Sequence, residues 1–178
     1  MGRSVTEQEF EELYRATVGD LIAYLRRRGA SDAENVAAEV YAIAWRRRTD
    51  LPAPMLRRAW LFGAAAKVMQ AEHRRRVRER EAGAEHARLD GATPDDAQST
   101  TTETMVAAIG RLSPGHQEVL RLIEWERLTP AELATALGVR AGTARVRLHR
   151  ARMALAADPA VRALVEEGSS SHLLEHHP

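Results

Sequence analysis

Gly138 divides the stretch from Thr129 to Leu155 into a short capped segment and a longer basic one, and few folds accommodate that arrangement. Thr129 is placed to cap a helix, Pro130 suits its first position, and Glu132 is spaced to reach back and complete a capping box. Leu133, Ala134 and Leu137 form an apolar stripe, and Gly138 is free to adopt the left-handed conformation that ends the helix. From Arg140 to Ala156 a second helix is predicted. It carries Arg140, Arg145, Arg147, Arg150, Arg152 and His149 but no acidic residue. A short helix, a glycine turn and a basic helix make a helix-turn-helix, whose second helix commonly enters a DNA major groove.

The second helix can be divided into faces at about 100° per residue. Ala144, Leu148, Ala151 and Leu155 fall in one arc and are expected in the core. Gly142, Val146, His149 and Met153 fall opposite, with Arg145 along one edge and Arg150 along the other. Arg147 lies nearer the core margin, where it is better placed for a phosphate. A solvated charged face is the competing explanation. The lack of balancing acids and the capped helix before it favour DNA.

The chain of 178 residues is long enough for one domain or two small ones, and its net charge of +1 says little about partners. Charge distribution says more: Lys67 is the only lysine, so the positive clusters are almost entirely arginine, which suits phosphates and base edges. A GC-rich genome would produce the same bias. The absence of cysteine excludes disulfides and cysteine-ligated zinc. No apolar run approaches the ~20 residues of a membrane span, and the N-terminus lacks a signal-peptide core, so a cytoplasmic location is expected.

Three helices are expected in residues 1–80. Thr6 and Glu9 open the first, which carries Phe10, Leu13, Tyr14, Val18, Leu21, Ile22 and Leu25 at helical spacing until Gly29 stops it. Ser31 and Glu34 are expected to cap the second, with Val36, Val40, Ile43 and Ala44 inward. The third starts near Met55, turns Trp60, Ala64 and Val68 to the apolar side and runs into RRRVRER. Residues 81–103, rich in Gly, Ala, Ser, Thr and acids, read as a flexible acidic linker. Residues 104–157 form a second unit of four helices with the basic helix last. In it, Met105, Val106, Ile109 and Leu112 line the first helix. Ser113 caps the next, which points Val119, Leu120 and Ile123 inward. Residues 158–178 read as a disordered tail with one turn at Ala160 to Glu166. His172 and His176 have a helical metal-binding spacing but no carboxylate partner, so no metal or other cofactor is expected. No phosphate-cradling loop, nucleophile elbow or other catalytic motif appears, and no catalytic residue is assigned. The fold class expected is all-α, two small helical domains joined by a tether.

The two units and their order resemble the extracytoplasmic-function sigma factors, a class of the sigma-70 family. FEELYRATVGDLIAYLRRRGASDAENVAAEVYAIAW resembles the family's opening helices, and DAENVAAEVYAIAW matches the segment that docks on the polymerase clamp helices. RAWLFGAAAKVMQAEHRRR is similar to the helix that captures and melts the −10 promoter element. LSPGHQEVLRLIEWERLTPAELATALGVRAGTARVRLHRARMAL is similar to the domain that reads the −35 element. The resemblance implies a transcription initiation factor whose partners are core RNA polymerase, promoter DNA and an anti-sigma factor. By position it implies polymerase contacts at Asp32, Glu34 and Glu39, although capping by Glu34 and simple solvation explain these residues equally well. It implies −10 contacts at Phe62, Lys67, Arg74 and Arg75, with Phe62 equally suited to the core. It implies −35 contacts at Arg145, Val146, His149 and Arg150, joined by Gly142 and Arg147, with Arg140 and Thr143 placed for phosphates. The chain departs from the family at Ala38, Lys67 and Ala71, where glutamine, asparagine and aspartate are usual. Arg140 stands where a capping serine is common. A stand-alone helix-turn-helix regulator and a sigma-like decoy for an anti-sigma protein are the competing functions.

Overall fold

The computed structural model describes residues 4–82 and 100–174, with side chains described over residues 4–79 and 101–166. Among the described residues the regular elements are all helices, without strands. The order is α1 (Glu7–Arg27), α2 (Ala33–Arg46), a 3-10 turn (Pro54–Leu56), α3 (Arg57–Ala82), α4 (Thr100–Arg111), α5 (Pro114–Glu124), α6 (Pro130–Leu137), α7 (Ala141–Ala156) and α8 (Pro159–Leu174). The chain divides into two compact units. The first holds α1–α3, and the second holds α4, α5, the start of α6, α7 and α8.

In the first unit α1 begins with the expected capping box, the Glu9 N–H donating to Thr6 Oγ1 at 3.2 Å and the Thr6 N–H to Glu9 Oε2 at 2.9 Å. It ends at Gly29, whose φ of 73° lets the Gly29 and Ala30 N–H groups return to the carbonyls of Arg26 and Leu25. Leu21, Tyr24 and Leu25 of α1, Val40 and Ala44 of α2, and Leu61, Phe62 and Ala65 of α3 are fully buried between the three helices. Burying each large apolar side chain contributes about 1.5–3 kcal/mol. The cap of α2 differs from expectation: Asp32, not Ser31, occupies the N-cap and accepts from the Asn35 N–H at 2.9 Å. Ser31 instead accepts from Arg76 of α3 at 2.9 Å, a partner no local pattern reveals. The buried arc of α3 is also rotated. Ala59, Leu61, Phe62, Ala65 and Val68 are inside, and Trp60 and Ala64 are only half-buried, because α3 packs on α1 and α2 together.

The second unit contains one helix more than expected. Thr100, rather than Met105, begins α4, and α3 extends to Ala82, so the acidic linker is shorter at both ends. The rest of it, 83–99, lies outside the described residues. Ser113 stands at the N-cap of α5 but makes no side-chain cap; Gln117 instead donates to the Gly110 and Leu112 carbonyls at 2.9 and 2.8 Å. The expectation of a disordered tail from residue 158 is corrected by α8. Asp158 accepts from the Ala160 N–H at 3.0 Å, Pro159 takes the first helical position, and Val161 is buried as α8 packs against α4. The side chain of His172, and all of His176, lie outside what is described.

Candidate nucleic-acid interface

The helix-turn-helix is built by hydrogen bonds that its sequence encodes locally. Thr129 and Glu132 cap α6 reciprocally, the Thr129 N–H donating to Glu132 Oε2 at 2.8 Å and the Glu132 N–H to Thr129 Oγ1 at 3.3 Å. At the other end Gly138 has φ 63°, which permits two closing bonds: the Val139 N–H to the Ala134 carbonyl at 3.0 Å, and the Gly138 N–H to the Thr135 carbonyl at 3.1 Å. Arg140 then holds the extended conformation of an N-cap (φ −68°, ψ 149°) without a side-chain cap bond, and α7 begins at Ala141.

α7 packs on α5 through Ala144, Leu148 and Ala151, all buried, with Leu155 half-buried at the same edge. Two of the three are alanines, which lets the helix axes approach closely. The opposite face is exposed from end to end: Gly142, Thr143, Arg145, Val146, Arg147, His149, Arg150 and Met153. Among the described residues, Arg140, Arg145, Arg147 and Arg150 have no ion-pair partner, so their positive charge is uncompensated. Arg152 is different; it reaches Glu124 of α5 at 3.6 Å and is partly neutralised. The sequence-derived face of α7 is thus brought together as one surface.

The candidates in the first unit are less uniform. Phe62 is 1% exposed, its ring 4.9 Å from that of Tyr24 and capped by the Arg58 guanidinium at 4.8 Å. This corrects the expectation of a stacking surface for bases, because the packing of α3 against α1 buries the ring. Lys67 and Arg74 are exposed on α3. Arg75 bridges to Glu79 at 3.6 Å, an exposed i,i+4 pair worth about 0.3–0.5 kcal/mol and readily exchanged for a phosphate. On α2, Asp32 is spent on its cap and Glu34 pairs with Arg26, whereas Glu39 is exposed. Sequence reasoning missed Arg76. It ties α3 to Ser31 at 2.9 Å and lies 3.8 Å from Glu72 one turn earlier on the same helix, and thereby supports the basic end of α3.

Among the described residues no group of three or more metal-ligating side chains occurs, and no helix is long and apolar enough to cross a membrane. Fold and site together define an all-helical protein of two units with a helix-turn-helix in the second. Residues 102–155 match the family described as Sigma-70, region 4. Over 133 residues the chain is 32% identical to the ECF RNA polymerase sigma factor SigL of Mycobacterium tuberculosis, covering 71% of this chain and 73% of that one. The chain belongs to the extracytoplasmic-function RNA polymerase sigma factors. Its fold is similar to that of the sigma factor RpoE from Bartonella quintana in complex with the anti-sigma factor NepR, with a TM-score of 0.63 and 21% identity over 84% of this chain and 95% of that one. It is also similar to CnrH in complex with the cytosolic domain of CnrY, with a TM-score of 0.54 and 24% identity over 85% and 88% of the two chains.

Proposed function

We propose that this chain binds core RNA polymerase in the cytoplasm and directs it to a set of promoters, the second unit reading a −35 element and the first a −10 element. The observation that carries the reading is the exposed face of α7 with its N-cap, where Arg140, Arg145, Arg147 and Arg150 form no ion pair among the described residues. Four uncompensated guanidinium groups on one helix have no role in packing, and in a major groove they meet phosphates and guanine edges. The second contact surface is the basic end of α3, with Lys67, Arg74 and Arg75 tracking the backbone of separated strands. Neither surface needs to bind tightly alone, because tethering makes the second contact effectively intramolecular. On α2, Glu39 and its exposed neighbours supply the polymerase contact, and Asp32 holds the start of that helix in place.

An anti-sigma protein completes the reading, since RpoE and CnrH are each found in complex with a protein partner. Such a protein would act by covering the surfaces that take DNA and polymerase. The test is transcription in vitro from fragmented genomic templates with core polymerase and the full chain. Promoter-dependent transcripts that vanish when the chain is omitted are the expected result. Their absence on every template, with core polymerase active under a second sigma factor, would overturn the proposal.

A further inference from the structure

The exposed face of α7 is not uniformly basic. Gly142, Val146, His149 and Met153 succeed one another at spacings of four, three and four residues, and so form one strip along the helix between the arginines. Val146 is 49% exposed in the middle of that strip. A β-branched apolar side chain there is poorly suited to a helix in water and packs nothing that α7 needs, since the α5 interface uses Ala144, Leu148 and Ala151. Gly142 is unexplained by the fold in the same way. It lies inside the first turn of α7 and not at a left-handed position, and a Cβ added there would meet nothing within 4 Å. Glycine weakens a helix relative to alanine, so the free protein gains nothing from it.

Both residues are explained by a surface that approaches α7 from outside. A major groove presents donors, acceptors and one apolar feature, the C5-methyl group of thymine. Resting on the −35 reading above, we infer that Val146 is a specificity-determining residue that packs on a thymine methyl, and that the bare backbone at Gly142 gives the clearance for DNA to come that close. The flanking arginines then favour guanine on either side of the thymine.

The test begins with a duplex library randomised upstream of a fixed −10 region, selected with the full chain bound to core polymerase and sequenced. An enriched upstream element containing a thymine beside guanine is expected. That thymine is then replaced by uracil, which removes only the methyl group. The native chain should bind the uracil element about fourfold more weakly, the worth of one buried methyl. Val146→Ala should bind both elements alike. Gly142→Ala should keep or raise the Tm of the protein while weakening binding to the selected element several-fold. A uracil element bound as well as the thymine one, or an equal penalty in Val146→Ala, would overturn the inference and leave the promoter reading standing. So would native-strength binding by Gly142→Ala. A library that is not enriched at all in the presence of polymerase would overturn the promoter reading and this inference with it.

Discussion

Arg111 at the end of α4 and Asp158 at the entrance to α8 meet through two parallel hydrogen bonds, Nε to Oδ2 at 2.9 Å and Nη2 to Oδ1 at 2.8 Å. The same carboxylate accepts the Ala160 N–H at 3.0 Å, so one side chain both caps α8 and ties it to α4. The Asp158 side chain is only 8% exposed, whereas Arg111 remains half in water. Hydrogen bonding from Arg111 is the main reason that Asp158 titrates below the usual carboxylate range. A carboxylate with a lowered folded pKa stabilises the fold fully above its unfolded value of about 3.9. That contribution is lost as the pH falls through the lowered value.

Asp158→Asn keeps a cap acceptor but cannot form the charged pair. The α8 backbone amides should exchange faster in this variant than in the native chain at neutral pH, and faster still in Asp158→Ala, which also loses the cap. As the pH falls below about 3.9 and through the lowered folded value, the native chain should converge on the Asn variant, because its own carboxylate then takes up a proton. Hydrogen exchange read by mass spectrometry checks all three. Equal α8 exchange across the set would remove the pair from the account of why α8 docks.

The missed helix α8 carried the same start signal as α6: Asp158-Pro159 places a cap and an N1 proline just as Thr129-Pro130 does. Where partners lie within one helical turn, as at Thr6 with Glu9, Thr129 with Glu132 and the Gly138 turn, the bonds follow from spacing alone. The buried arc of α7 was legible for the same reason, since a helix packed mainly on one neighbour has one clean stripe. α3 has no such stripe because it meets two helices, and its inward residues are set by where α1 and α2 lie. Phe62 and Ser31 belong to the same category. Their partners, Tyr24 and Arg76, lie 38 and 45 residues away along the chain. The basic face of α7 could be read from charge, but whether its arginines were free could not. The acid that pairs with Arg152 is Glu124, which sits on α5 and so could not be placed from the sequence of α7.

Thr17 and Tyr41 make the buried polar contact between α1 and α2. Thr17 Oγ1 donates to the Leu13 carbonyl at 2.6 Å, so its proton is committed and the Tyr41 hydroxyl is the donor in the 2.9 Å contact between them. Thr17→Val should therefore leave a buried hydroxyl unsatisfied and destabilise the chain by about 1–3 kcal/mol. Tyr41→Phe in the same background should recover part of that loss. Denaturant midpoints of the two single variants and the double variant check the coupling. Burial raises the Tyr41 pKa, so the folded state holds this proton more tightly and stability should fall as the pH rises past about 10.

In the first unit, Lys67 and Arg74 should matter for strand separation more than Phe62 does. Phe62→Ala should act through stability, costing about 3–5 kcal/mol as a core truncation. Lys67→Ala and Arg74→Ala, both at exposed positions, should change stability by less than about 0.5 kcal/mol. They should nevertheless reduce open-complex formation at a cognate promoter, read by permanganate reactivity of melted thymines. Equal open-complex yields in native, Lys67→Ala and Arg74→Ala proteins would remove the basic end of α3 from the melting step.

The outward arginines of α7 should divide into two kinds by where they stand on the helix. Arg147 lies toward the core margin on the helical wheel and Arg140 precedes the first turn, so both are expected to address the DNA backbone at the groove walls. Arg145 and Arg150 border the strip that holds Val146 and are expected to face base edges. A phosphate contact carries no sequence information but releases counterions. Arg147→Ala should weaken binding to every upstream element by a similar factor, and should reduce the slope of log affinity against log salt by about 1. Arg145→Ala or Arg150→Ala should instead cost about 1–3 kcal/mol on the selected element and relax preference at one base pair. Each of these exposed substitutions should leave stability within about 0.5 kcal/mol, whereas Leu148→Ala on the buried face should lose about 2–5 kcal/mol. Salt titrations of polymerase-bound protein on selected and single-base-variant duplexes measure both quantities together. A salt slope unchanged in Arg147→Ala, with base preference lost in that variant, would reverse the assignment of the two kinds.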